Sequence, residues 1–259
     1  MTKIIYNYNF KGGIGKSTLS IIEAYQLARR NKKVLFIDLD PQSNATDMLQ
    51  TTYHEVKPRE SLLNCLLKGD LKPAICPLTN YLDILPSDWS MSLFNQKIEK
   101  LESKTRSIVL KEELKEIKNN YDYIFIDTPP SLSSTTNNAL LASDYVTVII
   151  QTQKASYLSA IQTVAYYEQM RKDYSANYKF LGAILYLFAT GAGVDNEIET
   201  KSHDFFGDSL FANKIYHRER VKRWAAQGIS ANAKDAWDKR THSMYELVTN
   251  EMLEKMGDI

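Results

Sequence analysis

Phe10-Lys11-Gly12-Gly13-Ile14-Gly15-Lys16-Ser17 decides how this chain is read. Glycines let the backbone bend so that successive N–H groups point at anionic oxygens, a geometry that larger side chains would obstruct. Lys16 supplies a point charge for β- and γ-phosphates, and Ser17 a hydroxyl for Mg²⁺. The strict spacing G-x-x-x-x-G-K-[ST] would place glycine at Phe10, so the flanks carry the assignment. Residues 3–9 read as a buried strand and residues 18–30 as a helix, with Ile21, Tyr25 and Ala28 at helical spacing. Strand, glycine loop and helix N-terminus together make an anion site, because the loop and the positive helix end face one point. Residues 11–18 (Lys11, Gly12, Gly13, Ile14, Gly15, Lys16, Ser17 and Thr18) are therefore the candidate nucleotide-binding residues.

Further along, apolar runs alternate with helical ones. Residues 33–38, 82–86, 121–127, 145–150, 179–187 and 210–215 read as strands, and residues 156–172 as a helix. Near-continuous apolar strands separated by helices specify a parallel sheet covered on both faces. The expected fold is α/β, doubly wound and mostly parallel, in a single domain over residues 1–259. Its functional groups should lie at the carboxyl ends of the strands. Three aspartates sit there: Asp38 and Asp127 each end an apolar strand, and Asp40 follows two residues after Asp38. Asp127 suits Mg²⁺ directly or through water, Asp38 suits ordering of the Mg²⁺ shell, and Asp40 suits orientation of an attacking water. The candidate metal residues are Ser17, Asp38 and Asp127. The candidate catalytic residues are Lys11, Lys16, Asp40 and Asp127, acting by positioning and charge stabilisation.

Composition bounds the rest. The chain has 259 residues, 44% hydrophobic and 24% charged, which is ample for a large core. A formal net charge of +1 argues neither for nor against nucleic acid, so only local clustering bears on it. Cys65 and Cys76 are far apart with no histidine pair at metal spacing, and read as buried thiols. No signal peptide opens the sequence, and no apolar run approaches the roughly 20 residues of a membrane span. The expected location is cytoplasmic.

Three blocks carry a resemblance: residues 9–18, then Asp38-Leu39-Asp40-Pro41-Gln42-Ser43-Asn44-Ala45-Thr46, then Asp127-Thr128-Pro129-Pro130-Ser131. Together they resemble the deviant Walker A ATPases, and within these the ParA group that partitions plasmids and chromosomes. The resemblance implies a P-loop fold, ATP and Mg²⁺ as cofactors, and an ATP-dependent homodimer. In that dimer Lys11 would reach the partner's nucleotide, and the segments after Asp38 and Asp127 would sense the γ-phosphate. It also implies slow hydrolysis stimulated by a ParB-like adaptor, non-specific DNA binding in the ATP state, and nucleoid association. Phe10 departs from the family's usual polar residue. Residues 185–195 are aromatic and glycine-rich where relatives are polar, so no adenine contact is assigned there.

The best local candidate for DNA contact is residues 214–224, which hold Lys214, Arg218, Arg220, Lys222 and Arg223 against one acid, Glu219. Such a cluster neutralises phosphates by displacing counterions. The other reading is a solvated helix face with Val221 and Trp224 packed inward, and Lys239-Arg240 could extend the patch. Residues 97–119 read as a solvated helix face. The first strand begins so early that no N-terminal operator-binding domain is expected. MinD-like relatives, the alternative class, attach to membranes through a basic amphipathic tail. Residues 245–259 are amphipathic but net acidic, and so are expected to dock on the sheet rather than on a membrane. Cys65 and Cys76 lie between the second and third strands, which does not suit the cluster-bridging pair of nitrogenase-iron-protein relatives.

Overall fold

The longer strands are placed by alternation of side chains between two apolar faces. The computed structural model describes residues 1–189, 193–231 and 235–258. Its strands are β1 (Lys3–Tyr8), β2 (Val34–Asp38), β3 (Cys76–Pro77), β4 (Leu82–Leu85), β5 (Tyr123–Asp127), β6 (Tyr145–Gln151), β7 (Lys179–Phe188) and β8 (Ile215–Tyr216). They form one sheet in the order β3-β4-β2-β5-β1-β6-β7-β8, parallel throughout except for the β3–β4 edge pair. Strand β1 is central, so the chain winds outward from it in both directions, and the loop after it opens at the sheet's switch point.

The helices are α1 (Lys16–Arg29), α2 (Asn44–Thr52), α3 (Leu62–Lys68), α4 (Phe94–Ile98), α5 (Ser103–Ser107), α6 (Val109–Leu114), α7 (Ser134–Ala142), α8 (Lys154–Tyr174), α9 (Gly193–Phe206), α10 (Glu219–Gln227) and α11 (Ala236–Met256). Ile5, Phe36 and Phe125 pack with Leu19, Met48, Trp224 and Tyr245 on one face, beneath α1, α2, α10 and α11. Ile4, Tyr6, Leu35 and Ile124 pack with Leu62, Phe94, Leu110, Leu140 and Tyr167 on the other. Both sides of each central strand are therefore dry, as the continuous apolar runs require. The C-terminal helix docks as expected: Tyr245, Val248, Met252 and Leu253 are buried.

Three local expectations change. Residues 210–215 do not form a full strand: Leu210 makes an isolated bridge to Ala183, and regular pairing is confined to Ile215–Tyr216. The backbone N–H groups of Ala212 and Asn213 donate instead to the Glu251 carboxylate of α11, at 2.7 and 2.9 Å. Residues 97–119 are not one solvated face; they break into short helices and turns, with Leu110, Leu114 and Ile117 buried. The Cys76–Pro77 edge strand has no signal of its own beyond a proline, which an edge tolerates. Cys65 and Cys76 are both free and buried.

Gly182 sits at the β6–β7 register shift with φ +142°, where a Cβ would lie 2.0 Å from the Ser209 carbonyl oxygen. Only glycine fits there. Gly182→Ala is expected to cost about 2 kcal/mol or more, read as a lower urea midpoint at unchanged slope. An unshifted midpoint would mean that the 207–210 turn gives way freely.

Candidate nucleotide site

Asn9 turns the chain out of β1. Its side-chain amide donates to the Ile149 and Ser156 carbonyls at 2.7 and 3.2 Å, and its Oδ1 accepts the Lys11 N–H at 3.0 Å. Phe10 packs on Tyr8 and Tyr166, so the position that departs from the strict motif is an aromatic anchor. Gly13 and Gly15 adopt φ +72° and +96°. Gly15 has a second constraint, since a Cβ there would lie 2.1 Å from the Tyr186 ring. Helix α1 begins at Lys16 with no side-chain cap, so the N–H groups of its first turn remain available to a ligand.

Gly12, Gly13, Gly15, Lys16, Ser17, Thr18 and Asp40 line one cavity of about 690 Å³, together with Thr128 and Pro130. Ile14 is fully buried, so it can offer only its backbone. Lys11 is half-buried and does not line the cavity; its carbonyl accepts a 3.0 Å hydrogen bond from Lys16 Nζ. Burial lowers the Lys16 pKa, with Asp127 and Asp40 opposing that shift. Tyr186, Leu187, His217, Arg218, Val221, Lys222 and Ala225 close the far wall of the cavity. Leu187 is held at φ +57°, a strained backbone for a leucine. Residues 190–192 lie outside the described residues.

Asp38 and Asp127 are opposite one another in the β2–β5 register, and both are almost wholly buried. Their surroundings differ. Asp38 is fully engaged: Oδ1 accepts the Asp40 N–H at 3.0 Å, and Oδ2 accepts the Thr46 N–H and hydroxyl at 2.9 and 2.7 Å. It thereby fixes the turn carrying Asp40 and the start of α2. Neither oxygen of Asp127 makes a hydrogen bond of good geometry among the described residues. Burial raises the pKa of both carboxyls; Asp127 raises that of Asp38 further, while Ser17 and Lys16 pull that of Asp127 down. The orphaned carboxylate and the neighbouring Ser17 hydroxyl are oxygen donors of the kind that suits Mg²⁺, while the free N–H groups at the start of α1 suit the phosphates. Asp38, with both oxygens occupied, holds the loop rather than offering an open ligand position.

The five basic candidates do not form one stripe. Arg218 and Lys222 line the loop cavity itself. Lys214 pairs with Glu199, and Lys222 with Glu219. Arg220 bridges Asp235 at 2.6 Å and Asp238 at 3.0 Å, stapling α10 to α11. Arg218 and Arg223 are exposed and make no ion pair among the described residues. Arg220 was thus misleading in sequence, because its partners lie 15 and 18 residues away.

These placements permit comparison with known proteins. Residues 2–180 match the family model described as an AAA domain. The chain is 30% identical to the sporulation initiation inhibitor protein Soj of Bacillus subtilis, over 88% of this chain and 89% of that protein. It is also 30% identical to the chromosome-partitioning ATPase Soj of Thermus thermophilus, over 82% and 80%. The chain belongs to the ParA/MinD family of ATPases. Among solved structures, apo McdA from Cyanothece superposes with a TM-score of 0.84 at 25% identity, covering 97% of this chain and all of that one. A plasmid partition protein from Borrelia burgdorferi does so with a TM-score of 0.73 at 27% identity, covering 98% and 99%.

Glu23 of α1 escaped sequence reading because it occupies a helix position that reads as polar surface. It is fully buried, accepts a 2.7 Å hydrogen bond from Asn7, and its pKa is pushed up by burial to about 8, the Asn7 bond opposing. A carboxyl with a raised folded-state pKa stabilises fully below its unfolded value near 4.5 and loses that contribution as pH rises through about 8. Glu23→Gln keeps an acceptor for Asn7 but cannot ionise. It is expected to match the parent's melting temperature near pH 4 and exceed it near pH 8.5, flattening the slope. Parallel pH profiles for the two proteins would contradict a buried neutral Glu23.

Proposed function

We propose that this chain is a partition ATPase: it binds and hydrolyses ATP with Mg²⁺ in the loop cavity, pairs with a second copy, and binds DNA without sequence preference. A ParB-like adaptor would stimulate hydrolysis, and the cargo would be a plasmid or a chromosome. The observation that carries the reading is that Lys16 and Asp40 line the cavity at the free start of α1, with Asp127 buried close beside Ser17, Lys16 and Asp40 and its oxygens without a hydrogen bond of good geometry among the described residues. Relatives support it in kind. The Thermus relative is named a chromosome-partitioning ATPase, and a Borrelia chain 28% identical to this one was solved with AMPPNP, a nucleotide analogue.

The division of labour follows from the contacts. Backbone N–H groups of residues 12–18 would hold the phosphates, and Lys16 Nζ would leave the Lys11 carbonyl to reach them. Ser17 and Asp127 would hold Mg²⁺, which when bound neutralises phosphate charge. Asp40, on the turn fixed by Asp38, would orient the attacking water. Lys11, which does not line the cavity of its own chain, is left to serve the nucleotide of a partner. This ties assembly to nucleotide state.

The MinD-like alternative needs an apolar helix face free for a membrane. The apolar face of α11, with Tyr245, Val248, Met252 and Leu253, is packed on the core.

Lys16→Ala is expected to abolish measurable ATP binding in calorimetry with Mg²⁺. Lys11→Ala should bind ATP with affinity within about threefold of the parent, yet fail to form the ATP-dependent dimer seen by light scattering. A dimer of unchanged stability in Lys11→Ala would remove the cross-subunit role. Absence of any heat with the parent protein would remove the ATPase reading.

A further inference from the structure

The start of α11 carries an exposed aromatic that the nucleotide site does not use. Trp237 is 60% exposed, whereas Trp224 is buried. The indole lines a cleft of about 410 Å³ with His217, Arg218, Arg223, the α10–α11 staple Arg220 and one acid, Glu219. The Arg240 guanidinium lies 5.6 Å from the indole centroid. A second groove of about 630 Å³ adjoins through Arg218, and adds Lys239 and Arg240 beside the side chains of Tyr216 and Leu247. The acids of this face are spoken for: Asp235 and Asp238 pair with Arg220, and Glu219 with Lys222. Arg218, Arg223, Lys239 and Arg240 make no ion pair among the described residues. With these four cations against the exposed Glu219, the open face is net positive.

We propose that this cleft takes an unstacked base of single-stranded nucleic acid on Trp237, with Arg218, Arg223 and Arg240 on the flanking phosphates. The proposal rests on the DNA reading above and sharpens it. Duplex phosphates alone need only the cations, and give a half-exposed indole nothing to cover its face. An extruded or single-stranded base does cover it, and guanidinium groups around an aromatic platform are the arrangement that binds such strands regardless of sequence. The staple keeps the platform rigid, since Arg220 ties the first turns of α10 and α11 together.

The test is fluorescence anisotropy with ATP and Mg²⁺, using a labelled thymidine oligomer of roughly 20 nucleotides and a duplex of equal length. Trp237→Ala is expected to weaken oligomer binding about tenfold or more and duplex binding by less than about twofold, while Trp237→Phe keeps most of the oligomer affinity. In a Trp89→Phe background, indole emission should be quenched by the oligomer. Equal loss on oligomer and duplex, or no loss on either, would overturn the stacking role. Tight duplex binding with no oligomer binding would leave the DNA reading standing and remove this inference alone. Binding of neither would remove both. Competition by poly-glutamate that depends equally on Trp237 would overturn it in favour of an acidic peptide site.

Discussion

Two carboxylates side by side in the middle of a parallel sheet are the constraint on which the rest depends. Asp38 and Asp127 face each other across β2 and β5, each nearly sealed from solvent. Burying such a pair is costly unless hydrogen bonds or cations compensate. Asp38 is compensated within the chain, by the Asp40 N–H and by Thr46. Asp127 is compensated by the proximity of Ser17, Lys16 and the Thr128 backbone. The asymmetry separates a structural carboxylate from one that keeps its oxygens for an ion. It also links the two loops: whatever is bound at Asp127 changes the field felt by Asp38, and Asp38 holds the turn that carries Asp40.

The loop's shape is enforced from below. Tyr186 occupies the space that a Cβ on Gly15 would need, and its hydroxyl pairs with that of Tyr245 at 2.6 Å. Strand β7, helix α11 and the phosphate loop are thus packed into one unit. Strain at Leu187 lies immediately beyond, on the cavity wall. Stored backbone strain beside a binding cavity is common, because the surrounding packing can hold a geometry that the local sequence disfavours.

Much of this was legible in the sequence. The glycine loop, its two lysines, the strand-end aspartates and the parallel architecture follow from local patterns that need no knowledge of distant contacts. Three features resisted, each for a non-local reason. Glu23 looks like a surface residue until Asn7 and the packing of α1 on the sheet are known. The stretch 210–215 has strand composition, but Glu251, nearly 40 residues away, takes its backbone donors. Arg220 belongs to a basic run by sequence, and to a buried acid, Asp238, by structure. Charge clusters are the least readable sequence signal, because partners arrive from elsewhere in the fold.

Helix α10 is where the two halves of the functional reading meet. Val221, Lys222 and Ala225 wall the loop cavity, while Arg223 and Arg220 line the outer cleft with Trp237. Arg218, just before the helix, borders both. A nine-residue helix moves as a rigid body, so a ligand that shifts its inner face carries its outer face with it. Its far end is pinned, since Gly228 at φ +84° packs on the Thr51 and Thr52 backbone of α2, the helix held by Asp38. A cavity ligand that displaced α10 would therefore have two routes to it: directly through the wall residues Val221, Lys222 and Ala225, and indirectly through the Asp38 turn and α2. By linkage, any occupant of the outer cleft that prefers one position of α10 must change nucleotide affinity by the same factor that nucleotide changes its own.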